Sequence, residues 1–319
     1  MTENPPLPVP EDVRGPVPGG GGSGAASVRL GICSVTFRHL PAAEVARRAA
    51  GAGLEVIEWG ADVHAPPGEP EVLRAVRDAT ELHGLVSCSY GSYFHCLPDE
   101  LPGFAEIARG AVALRAPRVR VWAGTSGSAD VTEEERSRIT AGLREAALIA
   151  RDHGLEIAPE FHAGTLTDST ASTVRLLEEA GVDGVGAYWQ PPQDAPDEEA
   201  LTGLDVLADR VGAVHVFSWW PGNHRLPLAA RDGLWGRVFG LLGDRPAPRD
   251  ALLEFVPGDD PAVLEREAAT LRRLTFPGPG RVGSPWRRVT AHRTHPMYFA
   301  VDRRTPWPLP TRRSGRSRR

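Results

Sequence analysis

Lysine is absent from this chain: all 36 basic residues are arginine, among 319 residues that include 35 glycines and 30 prolines. That bias reflects a GC-rich coding sequence and carries no functional information. Cysteine is scarce. Cys33, Cys88 and Cys96 are odd in number and lack the CxxC spacing of a zinc or redox motif, which argues against a disulfide framework and leaves reduced thiols. No run approaches the roughly 18 consecutive apolar residues of a membrane-spanning helix. The start, Met1-Thr2-Glu3-Asn4-Pro5-Pro6, has no basic stretch followed by an apolar one, so no secretory leader is expected and a cytoplasmic location is. A glycine-rich phosphate loop is missing as well, because Gly19–Gly22 precede the first candidate strand instead of following it.

Net charge is −5, unevenly spread: from Pro277 onward eleven arginines face one acid, Asp302. The rest is correspondingly acidic and would repel nucleic acid, so any weak affinity for a polyanion belongs to the carboxy-terminal tail.

With 41% hydrophobic residues the chain can bury a sizeable core. Residues 1–27 are Pro- and Gly-rich and are expected to be disordered, and 277–319 form an Arg/Pro-rich tail. Between them a short β-branched or aromatic run, a turn and an Ala/Leu/Glu/Arg segment alternate. The predicted strands are Arg29–Val35, Leu54–Trp59, Leu85–Tyr90, Arg118–Trp122, Leu155–Phe161, Gly184–Gln190, Val211–Phe217 and Ala251–Val256. Gly53, Gly84, Gly154 and Gly181 follow predicted helices and suit left-handed caps. Strict alternation over about 250 residues predicts an α/β fold: a single (β/α)₈ TIM barrel over 28–276.

In such a barrel the active site lies at the carboxyl ends of the strands. Strand two ends Ile57-Glu58-Trp59-Gly60 and runs on to Asp62 and His64. Strand three leads to Tyr93 and His95, strand five ends Glu160-Phe161-His162, strand six Tyr188-Trp189-Gln190, and strand seven runs from His215 to Trp219-Trp220. Strand eight ends Leu253-Glu254-Phe255. Glu160, His215 and Glu254 each interrupt an apolar run. Buried charges require a partner, and a divalent metal ion (Mn²⁺, Mg²⁺, Co²⁺ or Zn²⁺) shared by all three is the economical one.

At these residues the sequence resembles the sugar phosphate isomerase/epimerase group of xylose isomerase-like barrels, which also includes ketose epimerases, inosose dehydratases and endonuclease IV. The likeness runs from about Leu30 to Leu274, through Gly31–Arg38, Glu58–Gly68, Glu160–Asp168, Tyr188–Pro192 and Leu253–Val256. It implies metal ligands at Glu160, Gln190, His215 and Glu254, with Gln190 where the epimerases carry an Asp. It also implies that Glu160 and Glu254 exchange the proton, and that Arg225 binds substrate. His64, His95 and His162 would then bond substrate hydroxyls, and Trp59 or Trp220 would wall one face of the sugar. The expected reaction is isomerisation or epimerisation of a sugar-like polyol through an enediolate. Dehydration on the same scaffold and a non-catalytic sugar-binding barrel stay open, as do homo-oligomerisation and the identity of the metal; abasic-DNA cleavage is disfavoured by the acidic barrel.

Overall fold

The helical segments of this chain carry apolar stripes, and the short strands are largely buried on both faces. Neither can bury its surface without the other. In the computed structural model, which describes residues 28–243 and 249–277, they do so as a ring. The strands are β1 (Val28–Cys33), β2 (Val56–Gly60), β3 (Val86–Gly91), β4 (Arg118–Val121), β5 (Glu156–Pro159), β6 (Ala187–Trp189), β7 (Val211–Val216) and β8 (Arg249–Leu253). They pair in parallel in the order β5, β4, β3, β2, β1, β8, β7, β6. Parallel bridges from Ile157 to Val185 and from Glu160 to Tyr188 join the two ends.

Helices α1 (Ala42–Gly51), α2 (Pro70–Leu82), α3 (Leu101–Ala113), α4 (Glu133–Asp152), α5 (Thr170–Ala180), α6 (Asp197–Leu207), α7 (Asp232–Gly243) and α8 (Leu264–Thr275) alternate with the strands. This is the (β/α)₈ TIM barrel that the alternation predicts. Among the described residues no helix is long and apolar enough to cross a membrane. The tails expected at 1–27 and beyond 277 lie outside the described residues.

Helix ends follow local chemistry. Gly53, Gly84, Gly154 and Gly181 take φ values from 59° to 72°, which β-carbon crowding discourages in other residues. At the start of α4 the Thr132 hydroxyl accepts from the Glu135 N–H at 3.2 Å, and the Glu135 carboxylate accepts from the Thr132 N–H at 2.8 Å, a reciprocal capping box.

Several strands stop short of their predicted ends. Val35, Phe161, Gln190, Phe217 and Val256 all fall outside the ladder. At two of these ends side chains supply backbone partners: the Thr36 hydroxyl accepts from the Phe255 N–H at 3.1 Å, and the Thr167 hydroxyl donates to the Glu160 carbonyl.

Apolar packing falls into two layers. A large one, including Phe37, Trp59, Tyr90, Phe104, Trp189 and Trp235, fills the space between strands and helices. A small one inside the ring comprises Cys33, Val35, Val56, Cys88, Ala158, Tyr188, Ala213 and Leu252.

Candidate active site

Side chains alternate across a strand, so the residues that share a face with the inner layer also point into the ring. That face carries Glu58 two residues after Val56, Glu160 after Ala158, His215 after Ala213 and Glu254 after Leu252, and β4 supplies Arg120. All five are buried. They lie toward the carboxyl ends of their strands, where a TIM barrel builds its chemistry.

Four of them form a closed cycle. The Arg120 guanidinium donates from Nε to Glu58 Oε1 at 2.9 Å and from Nη1 to Glu160 Oε2. His215 Nδ1 lies 3.2 Å from Glu160 Oε1, and its Nε2 lies 3.5 Å from Glu58 Oε1. Glu254 Oε2 stands 3.5 Å from His215 Nδ1, and Trp122 Nε1 donates to Glu160 Oε2 at 2.7 Å. Glu160 thus meets three donor groups, while Glu254 has one long contact in this cluster.

The electrostatics follow. Burial pushes the Glu58 carboxyl up, but Arg120 and then His215 outweigh it and bring it down to about 2. Burial acts the same way on Glu160, and Arg120 with His215 again holds it well below the usual carboxylate range. Glu254 goes the other way: burial lifts it, and neighbouring His215 and Arg120 do not cancel the lift. Burial lowers His215, yet the surrounding Cys33, Glu254 and Glu160 carry it well above its ordinary value. A cation is favoured at this spot.

The donor set fits a divalent ion. One donor atom each from Glu160, His215 and Glu254 lies within 4.8 Å of the others. Gln190 sits one residue past β6 and two after the inward-facing Tyr188, and it follows Trp189, which pairs with Val214 just before His215. Its Oε1 is buried with no hydrogen-bond partner among the described residues, the condition of an oxygen that needs a cation or a proton donor. Arg120 balances Glu58, so once His215 gives up its proton to bind an ion, ionised Glu160 and Glu254 leave two negative charges beside a neutral imidazole and amide. A divalent cation cancels them, and oxygen donors with one imidazole suit Mn²⁺, Mg²⁺, Co²⁺ or Zn²⁺.

The other anticipated residues divide. His162 stacks on Trp122 with centroids 4.4 Å apart, and His95 meets the same indole edge-on at 5.7 Å, so these two histidines share one wall. Arg225 comes from a two-residue hairpin, Ser218–Trp219 with Arg225–Leu226, after β7. It bonds Asp259 and lies 4.6 Å above the Phe255 ring and 5.4 Å above Trp219. His64 is not brought to the site. Its ring nitrogens are engaged by the Ser34 hydroxyl and the Leu40 carbonyl, both at 3.0 Å, which makes it a clamp beneath the loop after β2. Trp59 points away from the mouth, fully buried toward α2, with Nε1 donating to Thr80 at 3.1 Å. Trp220 is turned to solvent, 42% exposed, with Arg231 above its ring.

Two other tryptophans lie along the strand ends: Trp122 against Glu160, and Trp219 against Phe217 at 4.7 Å and Phe255 at 5.7 Å. Sequence reasoning also passed over Glu58 and Arg120. Their signal was present: Glu58 lies between Ile57 and Trp59, and Arg120 between Val119 and Val121, each a charge inside an apolar strand.

With this geometry in hand, the comparison with known proteins identifies the class. The chain belongs to the xylose isomerase-like TIM barrel family, whose model matches residues 46–274. A stretch of 166 residues is 26% identical to a 3-dehydroshikimate dehydratase of Bacillus anthracis, covering 48% of this chain and 58% of that protein, so the chain matches little more than half of that relative's length. The crystal structure of the probable 3-DHS dehydratase of petrobactin synthesis from Bacillus anthracis superposes with a TM-score of 0.66 at 19% identity, over 76% of this chain and 98% of that one. The structure of D-psicose 3-epimerase with D-tagatose from Clostridium cellulolyticum gives 0.61 at 14% identity, over 78% and 99%. At such identities the two structures bear on the fold alone. The proteins this chain resembles are named as enzymes, dehydratases and epimerases both.

Proposed function

We propose that this chain is a divalent-metal-dependent isomerase or epimerase that moves a proton at a carbon next to a carbonyl in a small sugar or sugar-like polyol. The observation that carries this reading is the convergence of Glu160, His215 and Glu254, and with it goes the buried amide oxygen of Gln190, which has no hydrogen-bond partner among the described residues. These four residues would hold the ion, which when bound polarises carbonyl and hydroxyl oxygens. Glu254, with a single long contact in the cluster, takes the proton from carbon and leaves an enediolate. Its return to the neighbouring carbon is isomerisation; delivery of a proton from Glu160, three strands away around the ring, is epimerisation. His95, His162 and Arg225 bond substrate hydroxyls, and Trp122 and Trp219 supply the aromatic walls.

Dehydration is the second reading, in which the same enediolate expels a β-hydroxyl as water. Two observations favour it: Arg120 and Trp122 both donate to Glu160, which leaves Glu254 as the carboxylate free to carry a proton, and a relative matched along the sequence is a 3-dehydroshikimate dehydratase.

The test is elemental analysis of the purified protein together with Glu160→Ala and His215→Ala, followed by incubation with ketoses and cyclic polyol ketones in D₂O. Near-stoichiometric metal, lost in both variants, and deuterium entering the substrate are expected. A conjugated product with new ultraviolet absorption selects dehydration. Wild-type protein that takes up no supplied ion removes the metal mechanism and leaves a sugar-binding barrel.

A further inference from the structure

The metal reading leaves two buried atoms unexplained: His215 Nε2 and Glu58 Oε2 each lack a hydrogen-bond partner among the described residues. We infer that Glu58 is a positioning residue that keeps the His215 proton on Nε2, so that Nδ1 presents its lone pair between Glu160 and Glu254. The inference rests on the metal reading above.

A histidine that binds a metal ion must give up one proton and keeps a single N–H, and each placement has consequences. With the proton on Nδ1, the N–H fills the space between Glu160, 3.2 Å away, and Glu254, 3.5 Å away, where a cation would have to bind. The Nε2 lone pair would then face the Glu58 carboxylate at 3.5 Å, a repulsive contact in a buried site. With the proton on Nε2 and an ion held between Glu160 and Glu254 both faults disappear. The N–H faces the Glu58 carboxylate across the long 3.5 Å contact, and the lone pair turns toward the ion instead of toward bare carboxylates. A metal-bound histidine that donates its other nitrogen to a carboxylate gains basicity and a fixed ring orientation.

The neighbours hold this arrangement in place. Arg120 Nε fixes Glu58 at 2.9 Å while its Nη1 fixes Glu160, so one guanidinium sets both carboxylates that flank the imidazole. The Tyr188 ring packs against the imidazole at 5.1 Å and 61°, restricting its rotation. The same side of the ring also offers Cys33, which with Glu58 and His215 forms a second group of converging donors. An ion there would use Nε2, the opposite of what we infer.

The experiment uses the full chain and three measurements: Mn²⁺ and Zn²⁺ affinity by chelator competition, the His215 tautomer by ¹⁵N NMR of the Zn²⁺-loaded protein, and the absorption spectrum with Co²⁺. Wild type should show the proton on Nε2. Glu58→Ala should bind about 10–100-fold more weakly and populate the other tautomer, with Glu58→Gln, whose amide oxygen still accepts, recovering most of the affinity. Should Glu58→Ala fail to fold because Arg120 is stranded, the double variant Glu58→Met/Arg120→Met removes both charges and is expected to show the same tautomer change. A folded Glu58→Ala or double variant with wild-type affinity and tautomer overturns the inference, as does a thiolate-to-cobalt charge-transfer band. Wild type that binds no ion removes the metal reading and this inference with it, whereas a wild type that binds alongside an indifferent variant removes only the role of Glu58.

Discussion

The Trp122 indole N–H donates to the Glu160 carboxylate at 2.7 Å, on the same carboxylate oxygen that Arg120 reaches. The same ring stacks on His162, so one side chain both anchors a candidate metal ligand and carries a candidate substrate-binding residue. Trp122→Phe keeps the ring and deletes the donor. Hydrogen bonds to charged groups contribute about 1.5–3 kcal/mol, and urea unfolding should show a loss in that range. An unchanged unfolding free energy would mean that Arg120 and His215 suffice to hold Glu160.

Arg120 stands between two buried carboxylates, and breaking a buried pair by removing one partner costs about 3–5 kcal/mol. Arg120→Met should therefore unfold at markedly lower denaturant than wild type. Added Mn²⁺ should restore part of the difference, because an ion bound only by the folded state stabilises it and supplies positive charge beside Glu160. Recovery no greater than that of wild type would argue that the ion does not neutralise this cluster.

On α1, hydrogen bonds from Arg47, with Arg48 beside it, bring the partly exposed Glu44 carboxyl down to about 2 from its ordinary 4.5. A carboxyl lowered in the folded state stabilises the protein above its unfolded value, and that contribution is lost as pH falls from 4.5 toward 2. Glu44→Gln should thus be less stable than wild type at neutral pH, with the gap closing through that window. At about 1 M salt, where the Debye length is ~3 Å, the gap should shrink at every pH. Acid titrations at low and high salt check both signs.

The capping box at α4 gives a local test of stability away from the site. Thr132→Ala removes the side-chain acceptor for the Glu135 N–H and should cost about 1 kcal/mol in chemical denaturation, with Thr132→Ser close to wild type. Equal losses in the two variants would assign the effect to packing of the threonine methyl.

How much of the site could be read in advance depended on which face of each strand turned inward. Glu160, His215 and Glu254 stood out because each interrupts an apolar run, and the ring gathers them. Glu58 and Trp59 are neighbours with opposite fates: one enters the barrel and the other packs toward α2. In a parallel strand buried on both faces the two sides are equally apolar, so the period-two signal that would separate them is absent. His64 failed for a different reason. Its partners, Ser34 and Leu40, lie 30 and 24 residues away in the chain, and only folding makes them neighbours.

The sequence by itself determined the alternation of strands and helices, the glycine caps and the capping box, because these depend on residues a few positions apart. It also determined that polar groups would crowd the strand ends, since buried charge is conspicuous in an apolar run. Only the tertiary structure decided that Arg120 ties Glu58 to Glu160, that Trp122 donates to Glu160 while Trp59 packs toward α2, and that Gln190 Oε1 has no hydrogen-bond partner among the described residues. Those relationships join different strands and loops, so they depend on the closure of the ring and on the inward face of each strand, neither of which any local stretch of sequence encodes.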